Sequence, residues 1–262
     1  MIELIYFIIG LIATLIGSLA GLGGGIIIKP MLDLLGHFDV ATITILSAAT
    51  VFAMSIVSLT NYIKLDVKIN IRTSLYIALG SIIGGLFGKL LFNVLISNLS
   101  SIKLLGSLQS LLIFILMIII YFLVKQRSKF PIYQVKNAFI IFVFGMGLGL
   151  LAAFLGIGGG PLNVALLAIA FSMQVKEAAL NSVFIIFFSQ LASLSFSAFS
   201  NGFSNVNSTI LVIMIVSGMI GGFIGSRIAK MVTNKTVEIV FHFSIWFVIV
   251  ISGVNMVKYL LG

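Results

Sequence analysis

Two glycine-rich runs are the segments of this chain whose residue types favour ligand chemistry. Residues 21–25 read GLGGG, and residues 156–160 repeat the pattern as GIGGG at a spacing of 135. Each glycine lowers helix propensity by about 1 kcal/mol and lets the backbone approach a ligand closely. A helix that starts after such a break has free N–H groups and a positive dipole end. The two runs therefore indicate a site for an anion.

Polar residues follow both runs closely enough to join such a site. Ser47 and Ser182 correspond at the same spacing, and hydroxyl groups are donors for an oxyanion. Lys29 is the cation nearest to a run, although Asp33 stands one helical turn later and offers it an ion pair instead. Buried polar groups also bond to neighbouring helices, so each of these residues has a structural alternative. The residues predicted to bind substrate are Gly23, Gly24, Gly25, Lys29, Ser47, Thr50, Gly158, Gly159, Gly160, Asn163, Asn181, Ser182 and Gln190.

The elements that must position these residues are membrane spans. Of the 262 residues, 61% are hydrophobic and only 8% are charged, whereas soluble domains carry roughly 25% charged residues. Four segments free of Asp, Glu, Lys and Arg reach the roughly 20 residues that a span requires: 41–63, 104–124, 137–175 and 178–226. This composition excludes a water-soluble fold.

The glycine runs also mark an internal repeat. Gly84-Gly85 with Gly88 returns as Gly221-Gly222 with Gly225, and glycines at this spacing are typical of packed helix faces in membranes. Each half is expected to contain a long span, a break, a half-length helix and three more spans. The expected bounds are 2–20, 26–35, 41–63, 73–97 and 103–124, then 137–155, 161–172, 178–200, 207–228 and 237–259.

The predicted fold is therefore an all-α polytopic membrane protein with about eight full spans and two half-helices. It comprises a first membrane repeat at 1–124, a basic cytoplasmic linker at 125–136 and a second membrane repeat at 137–262. The loop after the third element carries Lys64, Lys68 and Arg72, whereas its counterpart at 200–207 has no charge. By the positive-inside rule, this bias predicts that the two repeats have inverted topology and that both termini are extracytoplasmic.

The paired glycine runs, the Pro30 that follows the first, and the later Gly84-Gly85 and Gly221-Gly222 pairs resemble the TauE/SafE sulfite exporter family over nearly the whole chain. The resemblance implies a multi-pass permease of the cell inner membrane. Such a permease moves small sulfur-containing anions, such as sulfite or sulfoacetate, usually outward. The second half departs from the family pattern, because Ala165 stands where the first half has Pro30.

The mechanism expected is alternating access at an anion site near the midplane of the bilayer. A proton- or sodium-coupled importer of a small anion stays open as the alternative. Catalysis, a metal site and a cofactor are not expected, because the chain has no cysteine and only His37 and His242 as imidazoles. The expected partners are a small anionic substrate and the lipid bilayer, with a homodimer left open. Nucleic acid is not expected despite the net charge of +9, since the cations flank apolar spans.

Overall fold

A computed structural model describes residues 2–64, 69–98, 102–129, 131, 133–200, 202–204 and 206–261. Within these ranges the chain forms ten α-helices. They are α1 (Ile2–Ala20), α2 (Gly25–Leu35), α3 (Val40–Lys64), α4 (Ile71–Asn98), α5 (Ile102–Lys125), α6 (Ala138–Leu155), α7 (Gly160–Ala170), α8 (Val175–Phe199), α9 (Ser208–Met231) and α10 (Asn234–Leu261). Eight of these, all except the short α2 and α7, are long and apolar enough to cross a membrane. The predicted all-α multi-pass fold is confirmed.

The helix bounds differ from the predicted bounds by no more than three residues. Asn137 and Asn207, expected as the first residues of two spans, are instead N-caps. The Asn137 side chain accepts a hydrogen bond from Phe139 N at 2.9 Å, and Asn207 accepts one from Thr209 N at the same distance. An asparagine N-cap satisfies an amide that would otherwise lack a partner. Lys68, one of the predicted orientation residues, lies outside the described residues.

Each short helix folds back along the long helix before it. Tyr6, near the start of α1, forms a 2.6 Å hydrogen bond with His37, two residues after the end of α2. In the second half Ser172, just after α7, donates to the carbonyl of Tyr133, which precedes α6, at 3.0 Å. Both α2 and α7 have 11 residues, or about 16 Å of helix. The two breaks therefore lie well inside the molecule, at the tips of two re-entrant hairpins.

The bases of the two hairpins lie at opposite ends of α10. Near the end of α10, Lys258 Nζ donates to the carbonyls of Asp33 and Leu34 at 3.3 and 2.9 Å, where α2 ends. At the start of α10, the side chain of Asn234 accepts a 3.0 Å hydrogen bond from Lys176 N, in the first turn of α8, the helix that follows α7. Because Asn234 and Lys258 are 24 residues apart in α10, these contacts are about 36 Å apart along the helix. The hairpins enter the molecule from opposite ends, and inverted topology of the complete halves stays a prediction.

The later glycines bring helices from the two halves into close contact. Helix α4 packs against α6, and α9 packs against α1. A Cβ atom added to Gly84 would overlap the carbonyl oxygen of Met146, and one added to Gly221 would overlap the Thr14 hydroxyl. The packing role expected for this pattern is confirmed, and it fixes the walls around the two breaks.

Candidate functional site

The two glycine breaks have the same backbone geometry. Three glycines in each adopt φ between 68° and 78°, namely Gly21, Gly23 and Gly24 in the first break and Gly156, Gly158 and Gly159 in the second. This left-handed region is open to glycine without steric strain. Helix α2 then begins at Gly25 and α7 at Gly160. The chain thus presents two helix N-termini from two equivalent turns.

The two breaks touch each other. A Cβ atom added to Gly25 would lie 2.9 Å from the carbonyl oxygen of Ile157 in the second break. In the reciprocal contact, a Cβ atom added to Gly160 would overlap the carbonyl oxygen of Leu22 in the first break. Since both contacts join equivalent positions of the repeat, the start of each half-helix lies against the opposite break.

Ser182 and Ser47 lie at this junction. The Ser182 hydroxyl donates to the carbonyl of Gly21 at 2.7 Å and also lies 3.3 Å from the carbonyl of Gly160, so it contacts both breaks. The Ser47 hydroxyl is 3.1 Å from the position of a Cβ atom on Gly25. The pair identified by repeat spacing is therefore brought together at the breaks. In Ser182 the hydroxyl is engaged by the backbone.

A polar cavity of about 20 Å³ lies beside the second break, between α3, α4, α6 and α8. The second break contributes Gly156 and Gly158 to its wall, and the polar side chains that line it are Thr44, Ser81, Ser189, Gln190 and Ser193. The Ser81 side chain is 2% exposed, and its Oγ has no hydrogen-bond partner among the described residues. Leaving a buried hydroxyl unpaired costs about 1–3 kcal/mol. The wall of the cavity therefore contains an unused hydrogen-bond donor.

Two predicted residues stand beside the glycines of the second break. The Gln190 amide nitrogen is 3.4 Å from the position of a Cβ atom on Gly158, and Gln190 lines the cavity. The Asn163 side chain is 3.8 Å from the corresponding position on Gly159. Both amides therefore lie close enough to influence the turn from α6 into α7.

Lys29 is located at the second break rather than at the first, which precedes it in the chain. Its Nζ donates to Gln109 Oε1 at 2.9 Å, and Gln109 Nε2 donates to the carbonyl of Phe154 at 2.6 Å. The Lys29 Cδ lies 3.3 Å from the position of a Cβ atom on Gly156. The lysine of the first half therefore crosses the boundary between the halves and reaches the turn after α6.

Three other side chains have partners away from the breaks. The Asp33 carboxylate, the ion-pair alternative for Lys29, accepts a hydrogen bond from Tyr259 OH at 3.3 Å. The Thr50 hydroxyl donates to a carbonyl one turn earlier in its own helix. The Asn181 amide oxygen accepts from Ser74 Oγ at 2.9 Å and so ties α8 to α4. For Thr50 and Asn181, helix packing accounts for the polar group.

The sequence did not identify Ser81 or Gln109. Gln109 is an isolated amide within a charge-free run, and that isolation is a signal for a buried polar role. Ser81 gives no comparable signal, because its counterpart at the 137-residue spacing of the later glycine pairs is Gly218. Comparison of the two halves therefore could not single it out.

A family model described as Sulfite exporter TauE/SafE matches residues 6–256. The match reaches from the first turns of α1 into the last turns of α10 and includes both breaks. Comparisons with curated proteins and with solved structures give no significant match.

Proposed function

We propose that this chain, which belongs to the sulfite exporter TauE/SafE family, is a permease that carries small sulfur-containing anions, such as sulfite or sulfoacetate. The proposed mechanism is alternating access. The family is one of membrane transporters, and the eight apolar spans fit that role. The observation that carries the proposal is the polar cavity at the junction of two broken helices, with the unpaired Ser81 hydroxyl in its wall.

The chemistry of the cavity favours an oxyanion. The Ser81 hydroxyl and the Gln190 amide supply hydrogen-bond donors, whereas the Thr44 hydroxyl already donates to the carbonyl of Val40. Helix α7 begins beside Gly158 and Gly159 without a side-chain cap, and although Pro161 in its first turn has no N–H group, this end is the positive end of the helix dipole. No carboxylate occurs among the described residues that line the cavity. A negatively charged guest therefore meets donors and a positive helix end without meeting a like charge.

Binding a substrate requires the cavity to expand. A volume of about 20 Å³ accommodates about one water molecule, whereas sulfite has four heavy atoms. The walls are formed by helices of both halves, and the two hairpins approach the junction from opposite ends of α10. Movement of one half against the other would enlarge the cavity and open it to one end at a time, as alternating access requires.

We propose that transport is outward across the inner membrane, with both termini extracytoplasmic. In a cell that is negative inside, the membrane potential drives an anion outward by about 2.3 kcal/mol per charge per 100 mV. Asp33 is the one carboxylate buried within a half-helix in the described residues, and Tyr259 already contacts it. Export driven by the potential and the substrate gradient requires no coupling ion.

The test uses the purified full chain in proteoliposomes, with sulfite or sulfoacetate transport measured under an imposed potassium diffusion potential. Outward-directed flux should follow the potential without a proton or sodium gradient. Uphill uptake that requires such a gradient would favour the coupled importer, and absence of flux for every sulfur-containing anion tried would overturn the proposal.

A matched pair of variants tests whether transport depends on the contact between the two breaks. Gly160→Ala places a methyl group against the Leu22 carbonyl, whereas Gly147→Ala adds the same methyl group where no neighbour lies within 4 Å. We expect flux to be lost in the first variant and retained in the second, with both proteins inserted in the membrane. Equal flux from the two variants would show that contact between the breaks is not needed.

A further inference from the structure

The side chain of Lys29 lies one layer behind the cavity wall. It is 1% exposed, and its Cδ approaches Gly156, which lines the cavity. The hydroxyl of Thr44, another lining residue, lies 3.0 Å from the same Cβ position on Gly156. Because Gly156 has no side chain, the lysine stem and the Thr44 side chain both approach the backbone of this cavity residue closely.

Gln109 holds the ammonium group in place. An ammonium group only donates hydrogen bonds, so the Gln109 amide must turn its oxygen toward Lys29 and its nitrogen toward the Phe154 carbonyl. Phe154 lies in the last turn of α6, where carbonyls lack partners within the helix. The cation, the amide and the helix end therefore form one connected unit beside the second break.

Among the residues that the structure describes, no close ion pair balances the charge of Lys29. The direct partner of the ammonium, Gln109, is neutral. Asp33 attracts Lys29, but its carboxylate is also engaged by Tyr259. A second buried lysine, Lys89, repels Lys29. A buried cation without a close counter-ion is costly in a membrane protein, and an anion in the cavity would relieve that cost.

The charge is present in only one half. At the repeat spacing, Lys29 corresponds to Val164, which is buried and apolar. The first break therefore receives no equivalent cation from α7. Lys29 is thus not explained by a packing requirement shared by both halves, and it lies at the break that has the cavity.

We propose that Lys29 determines the charge preference of the anion site and that Gln109 positions it, so that the site binds divalent anions more tightly than monovalent anions. This inference rests on the proposed function. Attraction between a fixed charge and a guest is proportional to the charge of the guest. If loss of Lys29 lowers the affinity for a monovalent anion by some factor, it should therefore lower the affinity for a divalent anion by the square of that factor.

The experiment measures binding to the purified full chain by isothermal titration at neutral pH and constant ionic strength. The probes are sulfoacetate, with two negative charges, and methanesulfonate, with one. In Lys29→Met we expect affinity to fall about 100-fold for sulfoacetate and about 10-fold for methanesulfonate, as expected for a charge one layer away from the guest. Lys29→Arg, which retains the charge, should keep most of the preference for sulfoacetate over methanesulfonate.

Two further variants are tested: Gln109→Glu, which neutralises Lys29, and Lys125→Met, which is the control for loss of a remote charge. A glutamate at 109 would pair with Lys29 and cancel its field, so it should reproduce the loss seen in Lys29→Met while keeping the contact. Lys125 is exposed and lies at the far end of α5, where it donates to Tyr121 OH, so its replacement removes one charge remote from the cavity. We expect Lys125→Met to bind both probes like the unmodified chain.

Three results overturn the inference. Equal weakening of both probes in Lys29→Met would indicate a structural role, and unchanged affinity would indicate no role. Failure of the unmodified chain to bind either probe would overturn the proposed function together with this inference. Thermal unfolding of each variant shows that the titrated protein is folded, and replacing a buried cation with methionine is compatible with stability.

Discussion

The first and second glycine breaks share a backbone geometry but differ in what surrounds them. The second adjoins the polar cavity. At the first break the equivalent space is filled by four groups that we term the serine cluster: the side chains of Ser18, Ser58 and Tyr62 and the carbonyl of Gly222. Ser18 and Ser58 are 2.8 Å apart at their hydroxyl oxygens, and each is 3.3 Å from the Gly222 carbonyl oxygen. The Tyr62 hydroxyl donates to the Ser18 carbonyl at 3.0 Å.

Two replacements between the halves account for this difference. Ser18 corresponds to Ala153, which has no hydroxyl group with which to close the space. Gly17 corresponds to Ala152, and a Cβ atom on Gly17 would overlap the amide nitrogen of Gly24. The methyl group that Ala152 adds lies 3.0 Å from the Cβ position of Gly159. The first break is therefore packed more tightly against its long helix than the second.

The two regions lie on opposite sides of the junction between the breaks. Thr44, in the cavity wall, is near the start of α3, whereas Ser58 and Tyr62 of the serine cluster are near its end. The comparison teaches that a repeated fold need not place both copies in the same state. Hydrogen bonds of the serine cluster close the side of the first break, whereas the side of the second break retains a cavity. This asymmetry is expected for a single conformation of the alternating-access cycle that we propose.

The largest effect is expected from making the first break resemble the second. Gly17→Ala would force a methyl group against Gly24, and overpacking of this kind costs about 1–3 kcal/mol. The thermal unfolding temperature of the purified protein should fall, and sulfite flux should fall with it. Gly147→Ala is the control, since its methyl group meets no neighbour. A Gly17→Ala protein as stable as the control would show that the close packing is not required.

The next prediction concerns access to the two sides. Ser55 and Gln190 correspond at the repeat spacing, and the chain contains no cysteine, so either position can carry a single reporter thiol. A small sulfonate-bearing thiol reagent should modify Gln190→Cys at least about ten times faster than Ser55→Cys. A factor of ten corresponds to a difference of about 1.4 kcal/mol in the free energy of the local opening that exposes each position. Equal rates would mean that the cavity and the serine cluster are equally accessible.

The helices were predictable because their signals are local. Apolar length and the absence of charge define a span, and clustered glycines break it, whatever the tertiary structure. The starts of α6 and α9 were predicted one residue too early, because Asn137 and Asn207 fit either a cap or a first turn. The equal placement of Ser47 and Ser182 was also readable from the repeat, since spacing is a property of the sequence.

The neighbours of each polar group were not predictable, because they depend on which face meets which helix. Asn181 adjoins Ser182 in sequence, yet successive residues point about 100° apart on a helix. Its amide therefore faces α4 while Ser182 faces the breaks. Lys29 was assigned to the nearer break by chain distance, but the reciprocal contact of the half-helices places it beside the second.

A smaller effect is expected from loosening the serine cluster. Tyr62→Phe removes one buried hydrogen bond, worth about 1 kcal/mol, and leaves the ring in place. This change should speed modification of a Ser55→Cys reporter by about five-fold, the factor that 1 kcal/mol gives, without changing the rate at Gln190→Cys. Faster modification at both positions would indicate general destabilisation and not release of one side.

The smallest effect on stability, and the sharpest on binding, is expected at Ser81. Its hydroxyl has no partner among the described residues, so Ser81→Ala removes an unsatisfied group and should leave the unfolding temperature unchanged or slightly higher. Ser182→Ala is the matched control, because its hydroxyl donates to the break and its loss should cost about 1 kcal/mol. If Ser81 serves the anion, its replacement must weaken sulfoacetate binding while the protein remains as stable as before. A variant with unchanged affinity would mean that the Ser81 hydroxyl does not contact the anion, and the comparison between the two breaks would then rest on packing alone.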